Sequence, residues 1–263
     1  MKRLIAAVSA LVFRSIGLCA AGLVVVSWLI LTERASAQAS IFYVIPGEVE
    51  QGEIEFEFLN GIDLGDTEHG EERSVHEIAI GYGITDYWKL TGAFDVVNPA
   101  GESAEIEAVE IENLFLLPGV NVEENGFALG LFAQLDIKTD GGLSEGALAI
   151  GPVYRTDIGL VAFTGNLFVE MPFAEEEDTG LYYATQFIYP VTEQFGIGVE
   201  NFGIFREGEH GHDRHVMGPA LFWDLDLGNG HILEPKLGVL FGLNDEAPDA
   251  ALSFNLVYKI GQE

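Results

Sequence analysis

The chain has 263 residues, of which 42 are Asp or Glu and only 12 are Lys or Arg. Its net charge of −30 argues against binding to nucleic acid and against anionic lipid headgroups, unless divalent cations intervene. Because 48% of the residues are hydrophobic, the chain is nevertheless too apolar to be a disordered acidic protein.

The first 37 residues have the pattern of a secretory signal peptide. Basic residues including Lys2 and Arg14 precede a mostly apolar run at 16–32, and small residues at 35–37 form a cleavage pattern. We therefore expect residues 1–37 to be a signal peptide, and residues 38–263 to be the exported domain. An uncleaved anchor is the alternative, since the run approaches the lower length limit of a spanning helix.

Cleavage at this position changes the composition of the mature chain. Cys19, the only cysteine, lies in the signal, and Leu18 before it is larger than a lipoprotein signal requires. The mature chain therefore has no thiol, which suits an oxidising compartment. Cleavage also removes four bases and one acid, which leaves 8 bases and 41 acids and a net charge near −33.

Hydrophobic alternation predicts β-strands through the rest of the chain. In the segment 53–58 every second residue is a glutamate, and the residues between are Ile or Phe. A strand with this pattern has one charged face and one apolar face. In the fourth strand the alternation changes phase, which predicts a β-bulge near Ala108. About twelve strands are predicted, at 50–59, 75–84, 87–97, 104–116, 127–137, 147–155, 160–171, 181–190, 195–205, 215–226, 231–242 and 251–260.

The connections between these strands alternate in length. Those after strands two, six, eight and ten are short, most of the others are longer and polar, and the turn at 117–126 is an exception. Outer-membrane barrels show this alternation, with short periplasmic turns and aromatic girdles. Aromatic residues gather near the strand ends here, at Tyr87, Trp88, Tyr189, Phe195, Trp223 and Tyr258.

These patterns predict an all-β fold, namely a transmembrane antiparallel up-and-down β-barrel in the outer membrane of a Gram-negative bacterium. An even number of strands places both chain ends on the periplasmic side. The alternative is a soluble barrel or sandwich with its apolar face inward. Twelve strands enclose an interior too wide for those side chains to fill, which favours the membrane barrel.

The sequence contains several short motifs: Tyr82-Gly83-Ile84-Thr85-Asp86, the Gly-Pro pairs at 151–152 and 218–219, the segment 242–249, and the closing alternation at 252–260. Together they resemble bacterial outer-membrane proteins grouped with the phenol-degradation meta-pathway. The resemblance implies an outer-membrane transporter or channel, although phenol itself is not carried over as the substrate.

Strand phase places a mainly acidic set of side chains in the lumen. A wall of carboxylates attracts cations and repels anions. We therefore predict a channel for passive passage of small solutes with a cation-preferring lumen. Alternatively, these acids only hydrate the interior or pair with the few bases across a plugged lumen. The predicted inward bases are Lys89, Arg155 and Lys236, and the acids are Glu53, Glu55, Glu57, Glu77, Asp95, Glu105, Asp136, Glu170, Glu200, Asp224 and Glu234.

One outer loop combines histidines with acids, as Zn²⁺, Cu²⁺ or Ni²⁺ sites do. The candidate ligands are Glu209, His210, His212, Asp213 and His215. A second acidic loop at 63–72 offers carboxylates to Ca²⁺ or Mg²⁺, which would bridge to lipopolysaccharide phosphates. The alternative function is therefore a metal-binding or lipopolysaccharide-bridging surface protein on a barrel platform. The simpler interpretation of both loops is a solvated polar surface.

No catalytic motif is present in the sequence. Ser144 and Ser253 have no histidine close in sequence, and neither Gly-x-Ser-x-Gly nor His-Glu-x-x-His occurs. We therefore expect the protein not to be an enzyme and to need no cofactor beyond divalent cations at the outer loops. The expected partners are outer-membrane lipid, lipopolysaccharide and small solutes.

Overall fold

The computed structural model describes residues 42–64, 74–98, 103–139, 142–174, 179–206 and 213–261, so the predicted signal peptide lies outside the described residues. Within them, a single sheet closes on itself through antiparallel pairing of neighbouring strands. The strands are β1 Ile54–Leu64, β2 Ser74–Thr85, β3 Trp88–Asn98, β4 Glu105–Leu116, β5 Phe127–Lys138, β6 Gly142–Ile158, β7 Val161–Pro172, β8 Gly180–Thr192, β9 Phe195–Arg206, β10 Arg214–Trp223, β11 Leu225–Gly228, β12 His231–Gly242 and β13 Ala250–Ile260.

Two pairings close the barrel. β1 pairs with β13 along its whole length, and β12 pairs with β10 as well as with β11. Since β10 and β11 are two parts of one strand interrupted at Asp224, the wall has twelve strands among the described residues. The predicted fold class and strand number are confirmed.

The two faces of the wall differ as the alternation predicts. In β2, Val75, Glu77 and Ala79 are buried inside the barrel, whereas Ile78 and Ile80 are each 53% exposed on the outside. Exposed apolar side chains of this kind occur on the other long strands as well, except on β13, where the outward side chains are half-buried. The apolar face therefore points outward, as in a barrel that contacts lipid. The alternative interpretation, a soluble barrel or sandwich with its apolar face inward, is wrong.

The predicted bulge lies in β4. Asp95 of β3 is opposite Ala108, but the next residue, Val96, is opposite Ile106, so Glu107 is the extra residue of β4 at this point. The extra residue moves Ala108 and Glu110 to the inner face, where both are buried. The change of phase in the sequence is therefore the bulge.

One end of the barrel carries the short turns, at 86–87, 159–160, 193–194 and 229–230. The longer connection at 117–126 lies at the same end and contains the short helix α1, Val122–Asn125. We call this the short-turn end and the opposite end the loop end. Ile54 and Ile260 pair at the short-turn end, so both ends of the sheet meet there. Aromatic pairs such as Phe195 and Trp223, with ring centroids 5.3 Å apart, mark this rim.

Among the described residues, no helix is long and apolar enough to cross a membrane.

The first strand differs from its prediction. It begins at Ile54 and continues to Leu64, instead of covering 50–59, because β13 pairs with it as far as Ala250. Residues 42–53, which we call the N-terminal segment, do not join the wall. A turn at 51–52, with Gly52 at a φ of 84°, redirects the chain from the lumen into β1.

Candidate functional site: the barrel lumen

The N-terminal segment lies inside the barrel and is fixed to the wall at its beginning. The carbonyl oxygen of Phe42 accepts three hydrogen bonds, from Lys236 Nζ at 2.7 Å, Ser253 Oγ at 3.1 Å and Asn255 Nδ2 at 3.1 Å. All three donors are buried. The wall therefore presents three hydrogen-bond donors to this one backbone carbonyl.

The segment is then held along its length. The side-chain amide of Asn166 accepts from the Ile45 N–H at 2.8 Å and donates to the Ile45 carbonyl at 3.1 Å. Glu48 forms an ion pair with Arg155. Because Asn166 is in the middle of β7 and Arg155 is near the short-turn end of β6, the segment runs down the lumen toward that end.

Gly83 shows how closely the segment approaches the wall at the short-turn end. A Cβ at Gly83 would lie 1.9 Å from the carbonyl oxygen of Glu50, so only glycine fits. The carbonyl of Gly83 also accepts from the Gly52 N–H at 2.7 Å. The segment is therefore clamped at this end by backbone contact.

Two apolar clusters line the lumen where the segment covers the wall. Phe42 and Val44 are 1% and 4% exposed and pack on a group that includes Phe202 and Leu240. Ile45 and Val49 pack against a second group formed by Leu114, Phe132 and Val153. Inward apolar side chains would be costly in a water-filled barrel, so these positions depend on the N-terminal segment.

Ion pairs with acids engage every Lys and Arg among the described residues. The sequence-based assignment of only three inward bases is therefore incomplete, since Lys138, Arg206, Arg214 and Lys259 also contribute. The pairs are Lys89 with Glu55 at 2.5 Å and Glu57 at 3.6 Å, Lys138 with Glu107, Arg155 with Glu48, Arg206 with Glu170, Arg214 with Asp63, Lys236 with Glu200, and Lys259 with Glu234.

Five further acids form a group on β2 to β5 that we call the acidic patch: Glu77, Asp95, Glu110, Glu112 and Asp136. Glu77 is directly opposite Asp95, and Glu110 is directly opposite Asp136. Like charges in such cross-strand positions destabilise a sheet. No ion pair within 4.0 Å joins the patch to a base among the described residues.

The acidic patch faces a cavity of about 220 Å³ between the wall and the N-terminal segment. Phe42, Tyr43 and Ile45 close the cavity on the segment's side, and all five acids of the patch line it. Arg214 and Tyr182 contribute polar atoms elsewhere in the lining. The lumen is thus narrowed by the segment but retains a negatively charged space.

The structure places most of the predicted lumen residues inside the barrel. Asp95, Asp136, Arg155 and Glu234 are half-buried. The inward assignment of Glu105 is wrong, because it is exposed at the start of β4, before the bulge. Asp224 is exposed at the break between β10 and β11, and so lies outside the enclosed lumen. Their role in selectivity stays a prediction. The buried members are Glu53, Glu55, Glu57, Glu77, Lys89, Glu170, Glu200 and Lys236.

Glu53 lies in the turn just before β1, at the short-turn rim. Its burial, with a hydrogen bond to Glu55 as a further cause, raises the pKa of Glu53 to about 7. This carboxyl group therefore changes charge near neutral pH, at the end of the barrel where the segment enters the wall.

Sequence reasoning missed two members of the acidic patch. Glu110 and Glu112 follow from the bulge, because the extra residue at Glu107 moves both to the inner face. Lys259 follows in the same way from the alternation of the last strand, where its neighbours Tyr258 and Ile260 face outward. The change of phase in the fourth strand and the alternation of the last strand can both be read from the sequence. No sequence pattern indicates that the N-terminal segment lies inside the barrel.

The predicted histidine and acid loop is only partly described, since Glu209, His210 and His212 lie outside the described residues. Asp213 Oδ1 accepts from the Arg206 N–H at 3.0 Å. His215 Nδ1 lies 3.1 Å from the Tyr183 hydroxyl, with the two rings stacked. Both residues thus have protein partners, and the loop metal site stays a prediction.

Three solved structures share this fold at low sequence identity. An outer-membrane channel from Pseudomonas putida aligns with a TM-score of 0.56 and 13% identity, over 86% of this chain and 99% of that chain. The NanC porin aligns at 0.54 and 8%, over 78% and 98%. The KdgM porin in complex with oligogalacturonate aligns at 0.50 and 9%, over 80% and 99%. These likenesses show the barrel fold. No protein-family model and no curated protein matches the chain.

Proposed function

We propose that this protein is an outer-membrane channel for passive passage of small solutes, with a lumen that prefers cations. The observation that carries the preference is the imbalance within the lumen. All seven described bases are neutralised by acids, whereas the acidic patch has no basic partner within 4.0 Å. The uncompensated charge facing the cavity is therefore negative.

The membrane location is supported by the outward apolar face and by the aromatic rim at the short-turn end. Large aromatic side chains are exposed on the outer face of the wall, with exposed fractions of 45% for Phe56, 49% for Phe94 and 51% for Phe241. Such a surface would favour aggregation in water, whereas it is expected for a barrel in contact with lipid. The similarity in fold to porins and to an outer-membrane channel supports the same location. Lipid and lipopolysaccharide are the partners that this location implies.

The N-terminal segment sets the size of the solutes. Since it fills part of the lumen along two apolar clusters, the space available to solutes is the cavity that remains beside the acidic patch. A space of this kind suits hydrated ions and small neutral or cationic molecules. Larger solutes require the segment to leave its place.

Planar-bilayer recording of the purified mature protein tests the preference. We expect the reversal potential in a salt gradient to show cation preference, because fixed carboxylates concentrate cations in a narrow pore. Replacing Glu77, Glu110 and Glu112 by Gln should move the reversal potential toward zero with little change in side-chain volume. Replacing the exposed Glu123 by Gln is the control and should have no effect. Anion preference, or the absence of any current, would contradict the proposal.

A further inference from the structure

Three carboxylates of the acidic patch converge on one point in the lumen. One oxygen atom from each of Glu77, Glu110 and Glu112 lies within 4.8 Å of the other two. The three residues come from β2 and β4, which flank β3, so the sheet itself sets their spacing. Glu77 and Glu110 are each 6% exposed.

Glu77 is the most informative member of this group. More than nine-tenths of it is buried, and none of the ion pairs among the described residues involves its carboxylate. Nearby, the Oδ1 atom of Asp95 is fully enclosed and has no hydrogen-bond partner among the described residues. Buried carboxylates are normally paired, hydrogen-bonded or bound to a metal ion.

The bases on the neighbouring strands form their ion pairs with other acids. The ammonium group of Lys89, on β3, lies 2.5 Å from Glu55 and 3.6 Å from Glu57. Lys138 is bound to Glu107 at 3.4 Å. The three carboxylates at the convergence point therefore have no ion-pair partner among the described residues.

We propose that Glu77, Glu110 and Glu112 bind a divalent cation of the calcium type, with Asp95 beside the site. All donors are oxygen atoms, which favours hard cations over Zn²⁺ or Cu²⁺. Ca²⁺ binds oxygen at about 2.4 Å, so two ligands on opposite sides of the ion are about 4.8 Å apart. Water from the adjoining cavity completes the coordination, as Ca²⁺ takes about 6–8 ligands.

This site is distinct from the predicted histidine loop, and it deepens the proposed channel function. A bound cation in the lumen would neutralise the strongest repulsion between strands and present solutes with a less negative path. Its role in conduction rests on the proposed function, whereas its binding does not. Binding and current are therefore measured separately.

Binding is tested on the full mature protein, refolded in detergent without lipopolysaccharide and stripped with a chelator. Ca²⁺ is titrated while tryptophan fluorescence follows thermal unfolding and calorimetry follows the heat. An ion that binds only the folded state raises the ratio of folded to unfolded protein about 100-fold at a concentration of 100 times its Kd. We expect the unfolding midpoint to rise with Ca²⁺ and to fall again with chelator.

The decisive comparison uses two variants with equal charge. The site variant carries Glu77→Gln, Glu110→Gln and Glu112→Gln, and it should show no Ca²⁺-dependent shift. The control variant carries Gln at three exposed acids and should respond as the parent does: Glu123, Glu124 and Glu145. If the triple site variant fails to fold, Glu77→Gln alone should weaken binding at least tenfold.

Two results overturn the proposal. The first is a parent protein whose stability and heat do not change with Ca²⁺, since protons alone would then neutralise the carboxylates. The second is an equal response of the parent and the site variant, which would assign the ion to other acids. A cation-preferring current without Ca²⁺ binding would contradict the Ca²⁺ site and support the proposed channel. Ca²⁺ binding together with anion preference would support the site and contradict the cation-preferring channel.

Discussion

Phe42 is the side chain whose removal should best release the N-terminal segment from the lumen. It is 1% exposed, its ring centroid lies 5.4 Å from that of Phe202, and the Arg214 guanidinium lies 5.7 Å from its centroid. All of its apolar neighbours except Val44 belong to the wall or its loops, which remain in place when the segment leaves. Shortening the Phe42 side chain therefore weakens the binding of the N-terminal segment to the wall and leaves the packing within the wall unchanged.

Replacement of a buried Phe by Ala costs about 3–5 kcal/mol. This cost lowers the ratio of bound to released segment by roughly two to four orders of magnitude. We expect Phe42→Ala to enlarge the single-channel conductance and to admit larger solutes, while the barrel remains folded.

Cysteine labelling measures the release directly. Val44 is 4% exposed in the bound segment, and the predicted mature chain contains no cysteine, so Val44→Cys provides a single reporter. Labelling of this cysteine should be slow in the parent background and fast with Phe42→Ala. Phe56→Ala, at a side chain that is 45% exposed on the outer face, is the control and should alter neither measurement. Equal labelling and conductance with and without Phe42→Ala would refute the reasoning.

Two other substitutions test the clamp and the buried charges. Gly83→Ala places a Cβ 1.9 Å from the Glu50 carbonyl oxygen, so it should displace the N-terminal segment and raise the conductance. Gly92→Ala is the control, because a Cβ there has no atom within 4 Å, and it should leave the conductance unchanged. Equal conductances of the two variants would argue against backbone contact at Gly83 as a restraint on the segment. Lys89→Met removes the ion-pair partner of the buried Glu55 and Glu57, which should lower the free energy of unfolding in denaturant by about 3–5 kcal/mol. Replacing both glutamates by Gln in the same variant should restore most of this loss. A Lys89→Met variant as stable as the parent would show that those acids are already neutral.

The wall of the barrel could be predicted from local patterns. Alternation along a strand reports which residues face which side, so it identified twelve strands, their apolar outer face and the bulge near Ala108. The lengths of the connections then identified the two ends. These features depend on residues that are close in sequence, so the amino-acid sequence alone predicts them.

The content of the lumen depends on contacts between residues far apart in sequence. No local pattern relates Phe42 to Lys236 and Asn255, or Ile45 to Asn166, although these contacts hold the N-terminal segment. The pairing of each described base with an acid is likewise decided by the tertiary structure.

The sequence by itself determined a strand pattern with an acidic inner face and an apolar outer face. The tertiary structure decided which of those acids are neutralised and which are not. It did so because the closed sheet sets distances between strands, and because the segment inside it excludes water from part of the lumen. The acidic patch is what remains uncompensated after both effects.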